Sequence, residues 1–179
     1  MNNISYMKRI FALSISLLLL TSSAFADSFG ELFGSMTSLF SSDDESTVYS
    51  PGETANLTDY DITLTNVLTS DGGSQYTPAK GYIYIILEFE IKNKTNEDTF
   101  ISSMMCFSPT VDGKTYTISV EADAIAMISG KMQFDTSIDP GKTISGIVGY
   151  EIPEDWKELK ITVNPDLYGD NKATFAMHR

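Results

Sequence analysis

The sequence predicts an all-β fold, an antiparallel β-sandwich of about seven or eight strands, from two observations. In segment 81–93 every second residue is apolar, and these residues are Ile83, Ile85, Leu87, Phe89 and Ile91. An apolar row with period two is typical of a strand that buries one face, so 81–93 is predicted as the central strand. Turn sequences such as Pro51-Gly52 and Asp112-Gly113 recur at the spacing of immunoglobulin-like sandwiches.

Residues 1–26 have the composition of a secretory signal peptide. Lys8 and Arg9 precede the apolar run 10–20, and Ala24-Phe25-Ala26 fits the A-x-A cleavage signature. The run is shorter than the roughly 20 apolar residues that span a bilayer, so a retained anchor is the less favoured alternative. We therefore expect cleavage between Ala26 and Asp27, no stable membrane span afterwards, and a protein that is secreted or held at the cell surface.

Residues 27–47 are predicted to form a short amphipathic helix followed by an acidic linker. Ser28 and Glu31 have the spacing of a capping box. The apolar residues recur at helical spacing and would form one stripe: Phe29, Leu32, Phe33, Met36, Leu39 and Phe40. The helix could fold back on the sandwich, which is the default, lie on a membrane, or dock to a partner. A membrane is disfavoured because the polar face has no Lys or Arg, and the stripe is kept as the candidate partner-binding surface.

The immunoglobulin-like domain is predicted to cover residues 48–179. Its further strand regions are 60–68, 99–111, 132–138, 143–152, 159–163 and 173–177. Between them, the alanine-rich stretch 121–130 is consistent with a helical turn or with a loop packed over one end of the sandwich. Gly146 interrupts the inward row of 143–152, which indicates the close approach of another backbone or a large ring.

Charge and cysteine content narrow the class of protein. The net charge is −12, and loss of the signal peptide removes two cations and no anions, which gives −14. Such a chain is repelled by nucleic acid and by anionic membranes, so no nucleic-acid partner is expected. Cys106 is the sole cysteine, which excludes an intramolecular disulfide and predicts a small buried side chain in the core.

Histidine-dependent catalysis is disfavoured by the shortage of histidine. The one histidine, His178, is next to the last residue, where a side chain is seldom held with the geometry that catalysis needs. Glu88 and Glu90 share one strand face and could in principle act as a carboxylate pair, but outward acids on a strand are normally solvated. We therefore expect no enzyme activity and assign no catalytic residue and no cofactor.

Two groups of side chains could bind a metal, and neither is favoured. Asp166, Asp170 and Asn171 share a loop that could meet Ca²⁺, but their spacing fits no EF-hand. The candidate soft ligands for Cu(I) are Met104, Met105, Cys106, Met127, Met132 and Met177. Met104 and Met105 would point to opposite faces of a strand, so core filling is the better interpretation. Binding of a metal or small ligand is kept as the alternative function.

The order of the turn and strand motifs carries a family resemblance. The motifs are Pro51-Gly52-Glu53, Gly81-Tyr82-Ile83-Tyr84, Ile91-Lys92-Asn93-Lys94, Asp112-Gly113-Lys114-Thr115-Tyr116, Pro140-Gly141-Lys142-Thr143-Ile144-Ser145-Gly146 and Tyr150-Glu151-Ile152-Pro153. In this order they resemble a family of secreted bacterial proteins and lipoproteins, mostly Gram-positive, with an immunoglobulin-like domain of unknown function. That domain is similar in fold to the mycobacterial immunoprotective extracellular protein. Many members are lipid-anchored through a cysteine that this chain lacks.

The resemblance implies an exported sandwich and brings no catalytic residues with it. Together with the composition, it predicts a secreted, non-enzymatic domain that acts by binding at the cell envelope or outside the cell. The expected partner is a protein or a cell-envelope component.

Overall fold

Two β-sheets lie face to face in the computed structural model, which describes residues 47–73, 75–167 and 169–179. The strands are β1 (Val48–Tyr49), β2 (Thr54–Asn56), β3 (Tyr60–Ser70), β4 (Tyr82–Asn93), β5 (Thr99–Ile101), β6 (Phe107–Val111), β7 (Lys114–Thr115), β8 (Thr136–Ile138), β9 (Thr143–Pro153), β10 (Glu158–Val163) and β11 (Ala173–His178). Helix α1 (Val120–Ile128) lies between β7 and β8.

Several predictions fall on residues outside this described part of the chain. They are the signal peptide with its cleavage site at Ala26 and Asp27, the amphipathic helix and the acidic linker up to residue 46. The apolar stripe of that helix lies outside it as well: Phe29, Leu32, Phe33, Met36, Leu39 and Phe40.

The first sheet has the strand order β2-β3-β4-β9. All three pairs are antiparallel. Phe89 of β4 lies opposite Leu64 of β3 on one side and opposite Gly146 of β9 on the other. The prediction that segment 81–93 forms a central strand is therefore confirmed.

The second sheet has the strand order β1-β11-β10-β6-β7, and β5 pairs with β8 in a third, two-stranded sheet. The pairs within the second sheet are antiparallel except β1 with β11, which is parallel. The described residues contain eleven strands rather than seven or eight. The additional strands have two or three residues, too few to show a period of two in the sequence.

The core lies between the two main sheets. The odd-numbered residues of 85–91 on β4 are fully buried there, whereas Ile83 at the start of the strand is partly buried. The ring centroid of Phe89 lies 5.4 Å from that of Phe107 on β6 and 5.6 Å from that of Phe175 on β11. These contacts join the inner faces of the two layers, and the predicted β-sandwich is confirmed. Cys106 is buried in the same core, as predicted.

Helix α1 covers part of the outer face of the first sheet. Tyr84 and Ile86 of β4 and Ile147 of β9 pack there against Ala122 and Ala126 of the helix. The alanine-rich stretch is therefore a full helix on a sheet face, where the sequence left a helical turn and a loop as alternatives. The small alanine side chains let the helix approach the sheet closely.

Both ends of α1 carry capping signals that are visible in the sequence. Ser119 is the N-cap, and its hydroxyl accepts a hydrogen bond from the first turn of the helix. Gly130 has φ +81°, the left-handed conformation that commonly ends a helix. The N–H groups of Gly130 and Lys131 donate to the carbonyls of Met127 and Ala126, which is the Schellman pattern. Residues at the two ends of α1 therefore provide the hydrogen bonds that begin and end the helix.

The gap that Gly146 leaves in the inward row of β9 is filled by an aromatic ring. A Cβ atom at this position would lie 2.9 Å from three ring carbons of Phe134. The ring of Phe134 is stacked on that of Phe107, with 5.1 Å between centroids. The prediction that a large ring approaches Gly146 is confirmed.

Candidate functional site: a cleft lined by methionine

The two acids considered as a carboxylate pair have different surroundings. Glu88 is half-buried and forms an ion pair with Lys131, with 2.6 Å between Nζ and Oε1. Glu90 on the same strand face is exposed. Glu88 thus ties β4 to the segment that follows α1, which is a structural contact.

The acidic loop considered for Ca²⁺ is braced by hydrogen bonds among its own side chains. The Asn171 side-chain N–H donates to Asp59 Oδ2 over 2.8 Å and to Asp166 Oδ2 over 3.3 Å. The backbone N–H of Gly169 donates to Asp166 Oδ1 over 2.9 Å. Among the described residues no group of three or more His, Cys, Asp or Glu side chains is placed to hold a metal ion.

The prediction that the methionines fill the core is wrong for four of them. Met104, Met105, Met127 and Met132 are exposed, with Met104 at 74% and Met132 at 70% of full exposure, whereas Met177 is buried. Met104 and Met105 lie in a turn before β6 and not in a strand, so the alternation argument does not apply to them. Exposed methionines need another explanation, because this side chain usually fills gaps in a core.

Three of the exposed methionines line one cleft of about 380 Å³. We call it the methionine cleft. One wall is the turn 102–105, which carries Met104 and Met105. The other wall is helix α1, which carries Met127, together with Ile118 just before the helix. Gln133 and Asp135 complete the cleft from the segment that leads into β8. Of the six residues considered as Cu(I) ligands, Met104, Met105 and Met127 thus lie together here, whereas Cys106 and Met177 are buried in the core.

The polar part of the methionine cleft is a hydrogen-bonded chain between two carboxylates. The side-chain N–H groups of Gln133 donate to Asp123 Oδ2 over 2.9 Å and to Ser103 Oγ over 3.2 Å. The Ser103 hydroxyl in turn donates to Asp135 Oδ2 over 2.7 Å. These hydrogen bonds fix both acids relative to α1 and to the turn 102–105, so the site is held by tertiary contacts from three segments.

Asp123 is the most unusual residue of this hydrogen-bonded group. Only 3% of the residue is exposed, and its Oδ1 has no hydrogen-bond partner among the described residues. Burial, with a smaller contribution from the carboxylate of Asp135, raises the pKa of Asp123 to about 7. The nearby backbone N–H of Gly149 opposes the rise without satisfying Oδ1. A buried carboxyl with a raised pKa in a cleft is a typical mark of a functional site.

The backbone at Asp135 is strained. Its φ is +108°, in the region that side chains other than glycine rarely adopt. The contacts that hold it there are the backbone N–H and the hydroxyl of Ser103, which both donate to the Asp135 carboxylate, the N–H over 3.0 Å. Strain of this kind persists where the surroundings hold a side chain in one position, and it concentrates at binding and catalytic sites.

The raised pKa of Asp123 leads to a prediction about stability and pH. A carboxyl with a higher pKa in the folded protein than in the unfolded chain stabilises the fold when it is protonated. This contribution is fully present below the unfolded pKa of about 3.9 and is lost as the pH rises through about 7. We therefore expect the free energy of unfolding of the wild type, relative to that of Asp123→Asn, to decrease as the pH is raised from about 3.9 to about 7.

Urea unfolding followed by the fluorescence of Trp156, the single tryptophan, measures this difference. The matched control is Glu121→Gln, which removes one carboxylate from an exposed position in the same helical turn. Its difference from the wild type should stay nearly constant over the same pH range. A wild type and an Asp123→Asn variant that respond identically to pH would contradict the prediction.

His178 lines a second cavity, of about 440 Å³, together with Trp156 and Arg179. The residue is exposed at the end of β11. None of the side chains that line this cavity has a buried polar atom without a partner in the described part of the chain. The methionine cleft is therefore the stronger candidate, because it combines an unpartnered buried carboxyl with exposed apolar walls.

The comparison with family models decides which family this fold represents. Residues 49–173 match the model described as domain of unknown function DUF4352. The chain belongs to this family. The predicted resemblance to a bacterial family with a domain of unknown function is confirmed. Curated proteins give no match to the chain.

Solved structures show that the fold of this DUF4352 domain occurs in proteins of Bacillus species. YcdA of Bacillus subtilis, described as a candidate lipoprotein, is 12% identical with a TM-score of 0.58, and the match covers 70% of this chain and 38% of YcdA. YjhA of Bacillus subtilis is 14% identical with a TM-score of 0.55, and the match covers 72% and 98% of the two chains. A conserved hypothetical protein of Bacillus anthracis is 19% identical with a TM-score of 0.52, with coverages of 70% and 94%. At these identities the likeness concerns the fold alone.

The sequence analysis of this DUF4352 domain grouped Met104, Met105 and Met127 but missed the polar residues of the methionine cleft, Asp123, Gln133 and Asp135. Asp123 stands in an alanine-rich stretch, and an acid there reads as an ordinary solvated residue of a helix. A usable signal was the pair of caps at Ser119 and Gly130, which predict a helix with Asp123 in its first turn. In the described part of the chain no helix combines the length and the apolar character needed to cross a bilayer.

Proposed function

We propose that this DUF4352 domain is an exported, non-enzymatic binding domain that holds its partner at the methionine cleft. The observation that carries the proposal is the exposed apolar surface around the cleft. Val120 lines the cleft and is 73% exposed, and Ile128 and Met132, which follow the cleft residue Met127 in the chain, are 73% and 70% exposed. Large apolar side chains grouped on the surface mark interaction sites in soluble proteins.

Methionine suits a surface that must adapt to a partner. Its side chain is unbranched and has a polarizable sulfur, so it can change rotamer to fit the shape that it meets. Met104 and Met105 lie in a turn, and Met127 lies in the last turn of α1. The flexible side chains therefore stand on a backbone that is fixed by the hydrogen bonds of Asp123, Gln133 and Ser103. Flexible contacts on a rigid support are the arrangement expected of a binding site.

Export is supported by the predicted signal peptide in residues 1–26. The description of YcdA as a candidate lipoprotein, on a related fold, points the same way. We therefore infer that the partner is a protein or another component of the cell envelope. The predicted amphipathic helix in residues 27–47 is kept as an additional candidate surface for the same partner.

Site-specific photo-crosslinking in the native host tests this proposal. Benzoylphenylalanine is placed at Met127 in the cleft wall and, as a control, at Val48 on β1; both side chains are 50% exposed. Val48 belongs to the edge strand of the second sheet, whereas α1 lies on the first. We expect a crosslinked species of defined mass from position 127 and none from position 48. Adducts from both positions or from neither would count against the proposal.

A further inference from the structure

The methionine cleft has negative charge and no positive charge of its own. Asp123 and Asp135 line it, and none of the described residues that line it is a lysine or an arginine. Lys131 precedes Gln133 by two residues, but its ammonium group is committed to Glu88, with 2.6 Å and 2.8 Å to the two carboxylate oxygens. Within the described residues, the side-chain donors to the two acids are therefore the amide of Gln133 and the hydroxyl of Ser103.

The unpartnered oxygen of Asp123 makes this arrangement incomplete. An ionised carboxylate that is buried without a positive partner is costly, and native proteins pair such groups. Asp123 is 3% exposed, and its Oδ1 lacks a partner among the described residues. Oδ1 itself faces Gly149 of β9, where an added Cβ atom would lie 2.8 Å from it, so a cation in the cleft would not contact this oxygen. Such a cation would compensate the charge of the Asp123 carboxylate from the cleft side and contact the exposed Asp135. The polar half of the cleft thus fits a positively charged group.

The other half of the cleft fits an aliphatic stem. Met104, Met105 and Met127 give it thioether and methylene walls, and the volume of about 380 Å³ exceeds that of a single side chain. A lysine side chain combines a four-carbon apolar stem with a compact ammonium group that has three donors. Val120 in the cleft wall is 73% exposed, and Ile128, which follows Met127 in α1, is exposed to the same extent, which is more apolar surface than a free small amine would cover. Residues beside a lysine in a protein chain would cover it.

We propose that the methionine cleft binds a lysine side chain of a partner protein, with its ammonium group at Asp123 and Asp135 and its stem against the methionines. This rests on the proposed function and names the chemistry of the partner. The acidic charge of the chain, −12, favours the approach of a cationic segment. Apolar residues on either side of that lysine would pack on the exposed surface around the cleft.

The binding should depend on pH through the groups that face Asp123. These are Asp135, which lines the same cleft, and Tyr150 of β9, whose pKa is raised by burial and by the charge of Asp123. The other ionisable groups nearby in the fold are Glu121 in the same helical turn and Glu88 of β4, which is paired with Lys131. Protonation of Asp123 removes the charge that attracts the ammonium group. Affinity for a lysine-bearing ligand should therefore fall as the pH is lowered below about 7.

Titration of the full chain with two short peptides tests the proposal. The probes are acetyl-Leu-Lys-Leu-amide and acetyl-Leu-norleucine-Leu-amide, which differ by one ammonium group on the same four-carbon stem. The methyl groups of methionine are labelled with carbon-13 and observed by NMR. At a pH above 7 we expect the lysine peptide to shift the signals of Met104, Met105 and Met127 at a concentration about tenfold lower than the norleucine peptide requires. The signal of Met177, which is buried in the core, should not move.

Two charge variants separate the carboxylate of Asp123 from the general charge of the helix. In Asp123→Asn the amide oxygen still accepts the hydrogen bond of Gln133, so the fold should be retained. This variant is expected to lose the preference for the lysine peptide, and Asp135→Asn to weaken it. Glu121→Gln removes the same charge from an exposed neighbouring position and should keep the preference. A preference that survives in Asp123→Asn would overturn the proposal.

The remaining outcomes are also decisive. Equal binding of the two peptides would overturn the lysine proposal and would indicate an apolar docking surface. The proposed function would then be decided by the crosslinking experiment alone. Hexylammonium ion is the third probe, and binding as tight as that of the lysine peptide would show a site for free amines and not for a partner's side chain. Shifts of Met177 together with the cleft methionines would show non-specific binding and likewise overturn it.

Discussion

Replacement of Phe89 by alanine is expected to lower the free energy of unfolding by about 3–5 kcal/mol. The ring is fully buried on β4, and its centroid lies 5.4 Å from that of Phe107 and 5.6 Å from that of Phe175 on the opposite sheet. The substitution leaves a cavity between the layers, and rings on the second sheet lose their partner. Since small domains are stable by only about 5–15 kcal/mol in total, the variant should unfold at much lower urea concentration.

The matched control for this prediction is Phe100→Ala on β5. The side chain of Phe100 is 57% exposed, so its removal should change stability by less than about 0.5 kcal/mol. Both variants are measured by urea unfolding with Trp156 fluorescence. A loss of less than about 1 kcal/mol for Phe89→Ala would show that the inward row of β4 does not carry the core.

Gly149→Ala is expected to destabilise the protein by about 1–3 kcal/mol and to disturb the methionine cleft. A Cβ atom at this position of β9 would lie 2.6 Å from Cβ of Ala122, 2.8 Å from Oδ1 of Asp123 and 2.9 Å from the backbone nitrogen of Asp123. Two of these atoms, the Ala122 Cβ and the Asp123 nitrogen, belong to or are bonded directly to the backbone of α1, so no rotamer change relieves the overlap. The helix must move away from the sheet, and the carboxyl of Asp123 moves with it.

Urea unfolding measures the first effect, and the carbon-13 methyl signals of Met104 and Met127 measure the second. Gly73→Ala is the control, because a Cβ atom there would meet nothing within 4 Å and the backbone needs no left-handed conformation. We expect that variant to match the wild type in both measurements. A Gly149→Ala protein with wild-type stability and unchanged methyl signals would show that α1 does not depend on this close contact.

The two predictions concern different parts of the domain. The sandwich core gives the domain its stability, and a helix on the outer face of the first sheet carries the candidate site. The structural relatives at 12–19% identity share the fold. The methionine cleft depends on side chains of this chain, such as Asp123, Met104 and Met127, and a shared fold does not supply them. Its function is therefore to be tested on this chain.

The sequence by itself determined the elements whose signals are local. The period of two in 83–91 depends only on neighbouring residues, and it correctly placed the central strand and its buried face. The gap at Gly146 correctly indicated a ring, which proved to be that of Phe134. Asp112-Gly113, which was predicted to be a turn, connects the paired strands β6 and β7. Export and the amphipathic helix in residues 27–47 stay predictions.

Only the tertiary structure decided which residues form the methionine cleft. Met104 and Met105 are exposed because their turn lies outside the sheets, and nothing in the sequence next to them states this. Asp123 is buried because α1 lies on β9 at Gly149, 26 residues further along the chain. Burial, and with it the raised pKa of Asp123, is set by the contacts between distant segments. A local pattern cannot report those contacts, since it records only the chain's own neighbours.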